Sequence, residues 1–329
     1  MNEVPLTLAI SRYDHVEDLT SGRIVPEGIR LTCLNLEIEE IFFRFLKYRE
    51  WDVSEVSFAK YASLISQGDR SLTAIPVFPS RIFRHSSIYV RRDGVVRTPQ
   101  DLAGKRIGLP EWAQTAAIYS RGFLIHQFGL KLQDIEWVQA GVNQPGRRDK
   151  VPQQLPAGTR YRTEPEKTLD GMLLSGEVDA ILSAHPPHSF ETGDPRVCRM
   201  FENFVEIETQ YYRDTGIFPI MHVVALRRPV IEAAPWVAMN LFTAFAAAKR
   251  NSVARALEST APRFPIPWVF ETTRRAQELF GADHWPYGVA ANRTTLEAFL
   301  DYAHEQGVCR RRLTLDELFP ASVASSFRV

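Results

Sequence analysis

The chain has 329 residues, with 39 Lys and Arg balanced by 39 Asp and Glu and 45% hydrophobic residues. That length supports one large or two medium domains with real cores. A balanced charge supplies no global field to hold nucleic acid or an anionic membrane. The three cysteines, Cys33, Cys198 and Cys309, are odd in number and far apart, and no CxxC occurs. This pattern points to neither a zinc site nor a disulfide framework, and fits a reducing compartment. The first residues lack a basic stretch followed by an apolar run, and no window approaches a membrane span, so a cytoplasmic location without membrane attachment is expected.

In chain order, "LTLAIS" (6–11) alternates and reads as a strand, and 21–37 as a turn and a second strand. "EIEEIFFRFLKYREW" (37–51) has helical spacing, with Ile41, Phe42, Phe45 and Leu46 on one side. "WDVSEVSF" reads as a strand, "KYASLISQG" as a helix stopped by Gly68, and "LTAIPVF" as a buried strand. This β-α-β order predicts a sheet covered by helices. "SSIYVRRDG" reads as a strand leading out of the first unit.

A second α/β unit follows, with strand "KRIGL", a helix over 115–128 and strand "DIEWVQA". Residues 141–166, rich in Pro, Gly and Arg, read as a loop. "TLDGMLLSGEVDAILSA" reads as helix, turn and strand, and "MHVVALR" as a returning strand. From Pro229 onward the pattern is mostly helical. The expectation is an α/β protein of two lobes around a central cleft, one formed by 1–93 with 206–329 and the other by 94–205. Ligand sites in such sheets lie beyond the carboxyl ends of strands and between domains. The loops expected to face the cleft are 11–15, 54–57, 79–86, 110–115, 184–188 and 212–219.

One stretch stands out in this neutral chain. "FPSRIFRHSSIYVRRD" (78–93) gathers four arginines and a histidine beside aromatic and aliphatic residues. Arg91 and Arg92 follow an alternating strand and read as its surface or a hinge. Other distinctive segments are "TPQDLAGKRIGLP", "EEIFFR", "DVSEVSFAKY", "TAAIYSRGFL", "PGRRDK", "LLSGEVDAILSA" and "YYRDTGIFPIMHVVALRR". The first resembles the second-domain entry of type II periplasmic-binding-protein folds. The others, taken with the stretch at 78–93 in their chain order over about 5–250, resemble the 4,5-dihydroxyphthalate decarboxylase family. The chain departs from the family pattern at His15, where Tyr-Asp-Arg is usual, and at His185 in "SAHPPHSF", where an Arg is usual. Each change exchanges a permanent bidentate cation for a titratable group.

The resemblance implies a cytoplasmic enzyme that removes one carboxylate from a dihydroxyphthalate to give protocatechuate, without an organic cofactor; an acid–base route to that product requires no metal. A bare aryl carbanion is too unstable to leave behind. A hydroxyl para to the carboxylate offers another route, through proton loss from oxygen and proton gain at the carboxylate-bearing carbon. Such a site needs a base, an acid and cations for the carboxylates, the acid–base groups contributing ~10²–10⁴-fold each.

Arg81 and Arg84 are the expected carboxylate clamp. His85 and His222 are the acid–base candidates, and Glu55 and Asp14 are expected to accept catechol protons. Thr115, at a helix start, is expected to hold a carboxylate oxygen, with Glu111 and Arg121 nearby. His15, His185, Tyr212 and Thr215 complete the expected substrate contacts. Each residue also has an ordinary structural reading: solvated loop arginines, a histidine on a backbone carbonyl, a helix cap, or an arginine bracing the cleft. The expected partner is a small aromatic polycarboxylate, with assembly into a homo-oligomer also expected. Two alternatives stay open: a solute-binding protein for an anionic aromatic ligand, and a decarboxylase of a different hydroxy-aromatic acid.

Overall fold

The computed structural model describes residues 3–152 and 154–324. Eleven strands form two sheets among these residues: β1 Val4–Ile10, β2 Ile29–Asn35, β3 Val53–Ser57, β4 Leu72–Ile75, β5 Ile88–Arg91, β6 Arg106–Leu109, β7 Glu136–Gly141, β8 Arg160–Thr168, β9 Ala180–Leu182, β10 Val197–Arg199 and β11 His222–Arg227. The first sheet has the order β2-β1-β3-β11-β4 and the second β10-β5-β9-β6-β7-β8. Pairing is parallel among β1, β2 and β3, as β-α-β connections dictate. β11 returns after the whole second sheet is built and inserts antiparallel between β3 and β4.

The elements follow from side-chain pattern. All five residues of β3 are buried, and the strand is central in its sheet. The helix Ile38–Tyr48 buries Ile41, Phe42 and Phe45, as its spacing predicts, and ends on Arg49 in the left-handed region at φ 54°. The helix Thr115–His126 is buried on nearly every side from Thr115 to Leu124. It runs against the helices Phe58–Ser66 and Arg293–Glu305. There Gly122 lets the Tyr302 ring come so close that an added Cβ would sit 2.4 Å from it. One hydrophobic cluster runs continuously beneath both sheets, from Leu8 and Phe45 to Trp112, Trp137 and Phe299.

Three sequence expectations change. β5, expected in the first segment, pairs with β9 and β10 in the second sheet, so the chain crosses over between β4 and β5, before residue 93. Residues 160–166, the end of the expected loop, belong to β8 at the edge of the second sheet. Its charged residues and Pro165 suit an edge strand, whose outer side is unpaired, and this composition hides it among loop residues. Tyr212 and Thr215, expected in a loop, lie on the helix Phe204–Thr215, which ends at Gly216 in the left-handed region.

Candidate active site

Two neighbouring strands bring the acid–base groups together. Glu55 sits on β3 and His222 opens β11, in a register pairing Val224 with Glu55 and His222 with Ser57. Glu55 is fully buried. Its Oε1 accepts from His222 Nδ1 at 2.7 Å and from the Tyr13 hydroxyl at 2.6 Å, and its Oε2 accepts from the Ser11 amide at 3.0 Å. A carboxylate accepts only, so Nδ1 of His222 carries a proton and Nε2 is left for other work. The Phe42 ring meets the imidazole edge-on with centroids 5.0 Å apart. Burial, and then the Glu55 charge, push the Tyr13 hydroxyl far above its ordinary range, so it stays a donor.

His222 lines a cavity of about 310 Å³ whose walls come from both sheets, with Phe42, Lys60, Arg84, Thr115 and Lys150 also facing it. Ligand pockets for small molecules begin at roughly this size, about 300 Å³. A second, outer depression shares Glu39, Gln114, Arg147 and His185 with the first and continues it toward the surface.

The cavity is rich in cations. Arg84 is buried to 8% exposure and makes no ion pair with a described carboxylate. Its one described side-chain contact is a long 3.5 Å approach to Ser87 Oγ, and its Nε has no partner. Burial draws its guanidinium down to about 10, so it stays cationic at neutral pH. Lys60, on the helix after β3, places Nζ 3.1 Å from Glu111 Oε2. Arg147 lies 2.6 Å from Glu111 and donates to both Glu39 oxygens at 2.8 Å. Lys150 Nζ is 3.9 Å from Glu111.

Thr115 begins its helix at the cavity wall. Its Oγ1 lies 3.0 Å from Ser57 Oγ and accepts from the Ala59 amide at 3.0 Å. Beside it, the Oε1 of Gln114 is buried with no described partner. His185 is two-thirds exposed at the rim, 3.9 Å from Glu39.

Thus His222, Arg84, Thr115 and His185 meet at one cavity. Glu55 stands behind His222 rather than on the wall, which corrects its expected role as a direct acceptor of catechol protons. Glu111 likewise lies beneath the wall as counter-ion to three cations.

Other expected residues go elsewhere. His85 points away from the cavity: it is 1% exposed, stacks on Phe123 at 3.9 Å and hydrogen-bonds Gln127 at 3.0 Å. Burial draws it down to about 4. The 3₁₀ turn His85–Ser87 rotates it inward while its neighbour Arg84 faces the cavity. Arg81 donates to the carbonyls of Phe218 and Pro286 and to Asn292, tying the crossover to the C-terminal helices. Arg121 stacks on Trp112 at 3.9 Å and donates to Gln306 and the Trp112 carbonyl, so it braces the helix packing. Asp14 is exposed, and its carbonyl lies 3.5 Å from Arg255.

His15 packs between Tyr13 and Trp285, and burial draws it down to about 4. Tyr212 packs on Phe280, and Thr215 caps its own helix by donating to the Tyr211 carbonyl.

Lys60, Arg147, Lys150, Tyr13 and Gln114 were not anticipated as site residues. Arg147 and Lys150 lie in "PGRRDK", whose three basic residues in four positions were the available signal. Lys60, a lone cation in the apolar run "SFAKYASLI", was the other. Among the described residues no group of three or more His, Cys, Asp or Glu side chains is arranged to hold a metal ion. No described helix is long and apolar enough to cross a membrane.

Two α/β sheets with a cleft lined from both define a type II periplasmic-binding-protein-like protein. The aliphatic sulphonate binding protein SsuA of Escherichia coli superposes with a TM-score of 0.53 at 13% identity, over 98% of this chain and 99% of that one. The desulfurization enzyme DSZB superposes with a TM-score of 0.51 at 16% identity, over 97% and 96%. At such identities the likeness concerns the fold alone.

No family profile matches the chain. In sequence it is 35% identical to the 4,5-dihydroxyphthalate decarboxylase of Comamonas testosteroni over the full length of both. It is 37% identical to that of Pseudomonas putida over 65% of this chain and 83% of the relative. The chain belongs to the 4,5-dihydroxyphthalate decarboxylase family and is an enzyme, a decarboxylase.

Proposed function

We propose that the protein converts 4,5-dihydroxyphthalate to 3,4-dihydroxybenzoate (protocatechuate) and CO2, with His222 as the proton donor and Arg84 as a carboxylate anchor. The observation that carries this reading is Arg84, a buried guanidinium on the wall of the same cavity as His222 that makes no salt bridge with a described carboxylate, Glu208 acting on it only through space. Burying a cation without a directly paired counter-ion costs free energy, up to several kcal/mol. An incoming carboxylate offsets that cost and meets a planar fork that matches it.

The ring hydroxyl para to the departing carboxylate gives its proton to solvent water in the cavity, and its electron pair moves through the ring to the carboxylate-bearing carbon. Nε2 of the His222 imidazolium gives that carbon a proton. The bond to the carboxylate breaks, its electron pair restores the aromatic ring and the phenolate, and CO2 departs. The phenolate takes its proton back from solvent and solvent reprotonates His222, so one proton is consumed overall. Glu55 never touches the substrate. It holds the imidazole in place through Nδ1 and supplies the charge that stabilises the imidazolium. The scheme draws on neither a metal nor an organic cofactor.

The test is to incubate chelator-treated protein with 4,5-dihydroxyphthalate and follow CO2 and 3,4-dihydroxybenzoate together. Equimolar formation of both is expected, with Arg84→Gln lowering kcat/KM by about 10- to 100-fold, the scale of a charged hydrogen bond. No product from the unaltered protein overturns the substrate assignment. Activity lost on chelation and restored by a divalent cation overturns the metal-free scheme.

A further inference from the structure

We propose that the cavity holds a second carboxylate subsite, built from Lys60 with Lys150 and Arg147 and held together by Glu111, which makes the protein select vicinal dicarboxylates over monocarboxylates. The inference rests on the functional reading above, and it concerns cations other than Arg84 that line the same cavity.

Three cations here face two carboxylates, Glu111 and Glu39. Glu111 is fully buried and does not line the cavity, so it serves as an internal counter-ion rather than a ligand contact. It draws together Lys60, from the helix after a strand of the first sheet, and Arg147 and Lys150, from the loop after β7 of the second. The wall is thereby assembled from both sheets and retains one positive charge beyond its two carboxylates.

Lys60 is the centre of this wall. It is 3% exposed, yet its ammonium lines the cavity. Apart from Glu111 at 3.1 Å, its described neighbour is the Phe42 ring, 5.9 Å away. An ammonium has three N–H donors, so two remain for a cavity occupant. Phe42 also meets His222, which sets the subsite beside the proton donor. Burial, and next the Lys60 charge, draw the Lys150 ammonium below its ordinary range. A carboxylate in the cavity would favour the charged form of this ammonium.

With both anchors occupied, a dicarboxylate is gripped twice. A product that has lost one carboxylate keeps a single anchor, which favours its release.

The probes are unsubstituted phthalate and benzoate, whose binding to the full chain is measured by isothermal titration calorimetry. This reading does not depend on turnover. The unaltered protein is expected to prefer phthalate by at least about tenfold, the value of one further charged hydrogen bond. Lys60→Met is expected to reduce that preference to within about threefold. Should Lys60→Met not fold, as judged by circular dichroism, Lys150→Met, at a more exposed position, is expected to lower the preference at least about threefold. A preference unchanged in the folded variant, or absent from the unaltered protein, overturns the subsite. Lost preference in the variant without conversion of 4,5-dihydroxyphthalate by the unaltered protein keeps the subsite and overturns the substrate assignment. Conversion with an unchanged preference does the reverse.

Discussion

Replacing Glu55 by Gln changes one atom of a fully buried side chain and nothing on the cavity wall. The carboxylate accepts three hydrogen bonds, from Ser11 N–H, Tyr13 O–H and His222 Nδ1–H. An amide cannot accept all three. With its NH2 toward Ser11, two donors oppose each other. With its NH2 toward His222, Nδ1 must become an acceptor, and the proton moves to Nε2 of a neutral ring. In both orientations the imidazolium loses its counter-charge. General acid catalysis is worth ~10²–10⁴-fold, or about 3–5 kcal/mol of barrier. The variant is therefore expected to lose that much kcat, while KM changes by less than about threefold because Glu55 contacts no substrate. Steady-state kinetics on 4,5-dihydroxyphthalate gives both values, with thermal unfolding as a control for the ~1.5–3 kcal/mol of a lost charged hydrogen bond. A folded variant with kcat within threefold of the parent refutes the role of Glu55, and so does a loss confined to KM.

His85, held at about 4 against an ordinary 6.5, remains neutral in the folded protein while the unfolded chain takes up a proton. Stability is therefore expected to fall as pH drops from about 6.5 to about 4, with no further loss from this group below that. The gap of about 2.5 units corresponds to roughly 3 kcal/mol. Urea unfolding across this range should show a flatter pH slope for His85→Phe, which keeps the stack on Phe123, and its turnover at pH 7 should stay within about twofold. A slope identical to the parent's would sink the assignment. Gly122→Ala places a methyl group against the Tyr302 ring, and overpacking of this kind costs about 1–3 kcal/mol. A thermal midpoint equal to the parent's would mean that the two helices separate freely there.

The alternation of "LTLAIS", the helical spacing of 37–51 and the apolar "MHVVALR" carry the two-unit α/β architecture openly, because strand and helix periods depend on neighbours a few residues away. β8 was hidden because an edge strand carries charge and proline that read as loop. Within the site, His222, Glu55, Arg84 and Thr115 were legible from the strands, the cation-rich loop and the helix start that carry them. Their roles were not.

Arg84 and His85 show why. They are adjacent in sequence and equally suited to the chemistry, yet a short 3₁₀ turn sends one to the cavity and the other into an aromatic nest. The same holds for Arg81, whose guanidinium meets carbonyls from segments more than a hundred residues away. The identity and spacing of residues alone determined the family, the two-lobed fold and a pool of cations and acid–base groups. Tertiary structure decided which of them share a cavity. A side chain's direction and the partners that neutralise it are set by contacts between distant segments, which local patterns do not contain. Lys60 and Glu111, 51 positions apart and joined across two sheets, are a pair that only folding could bring together.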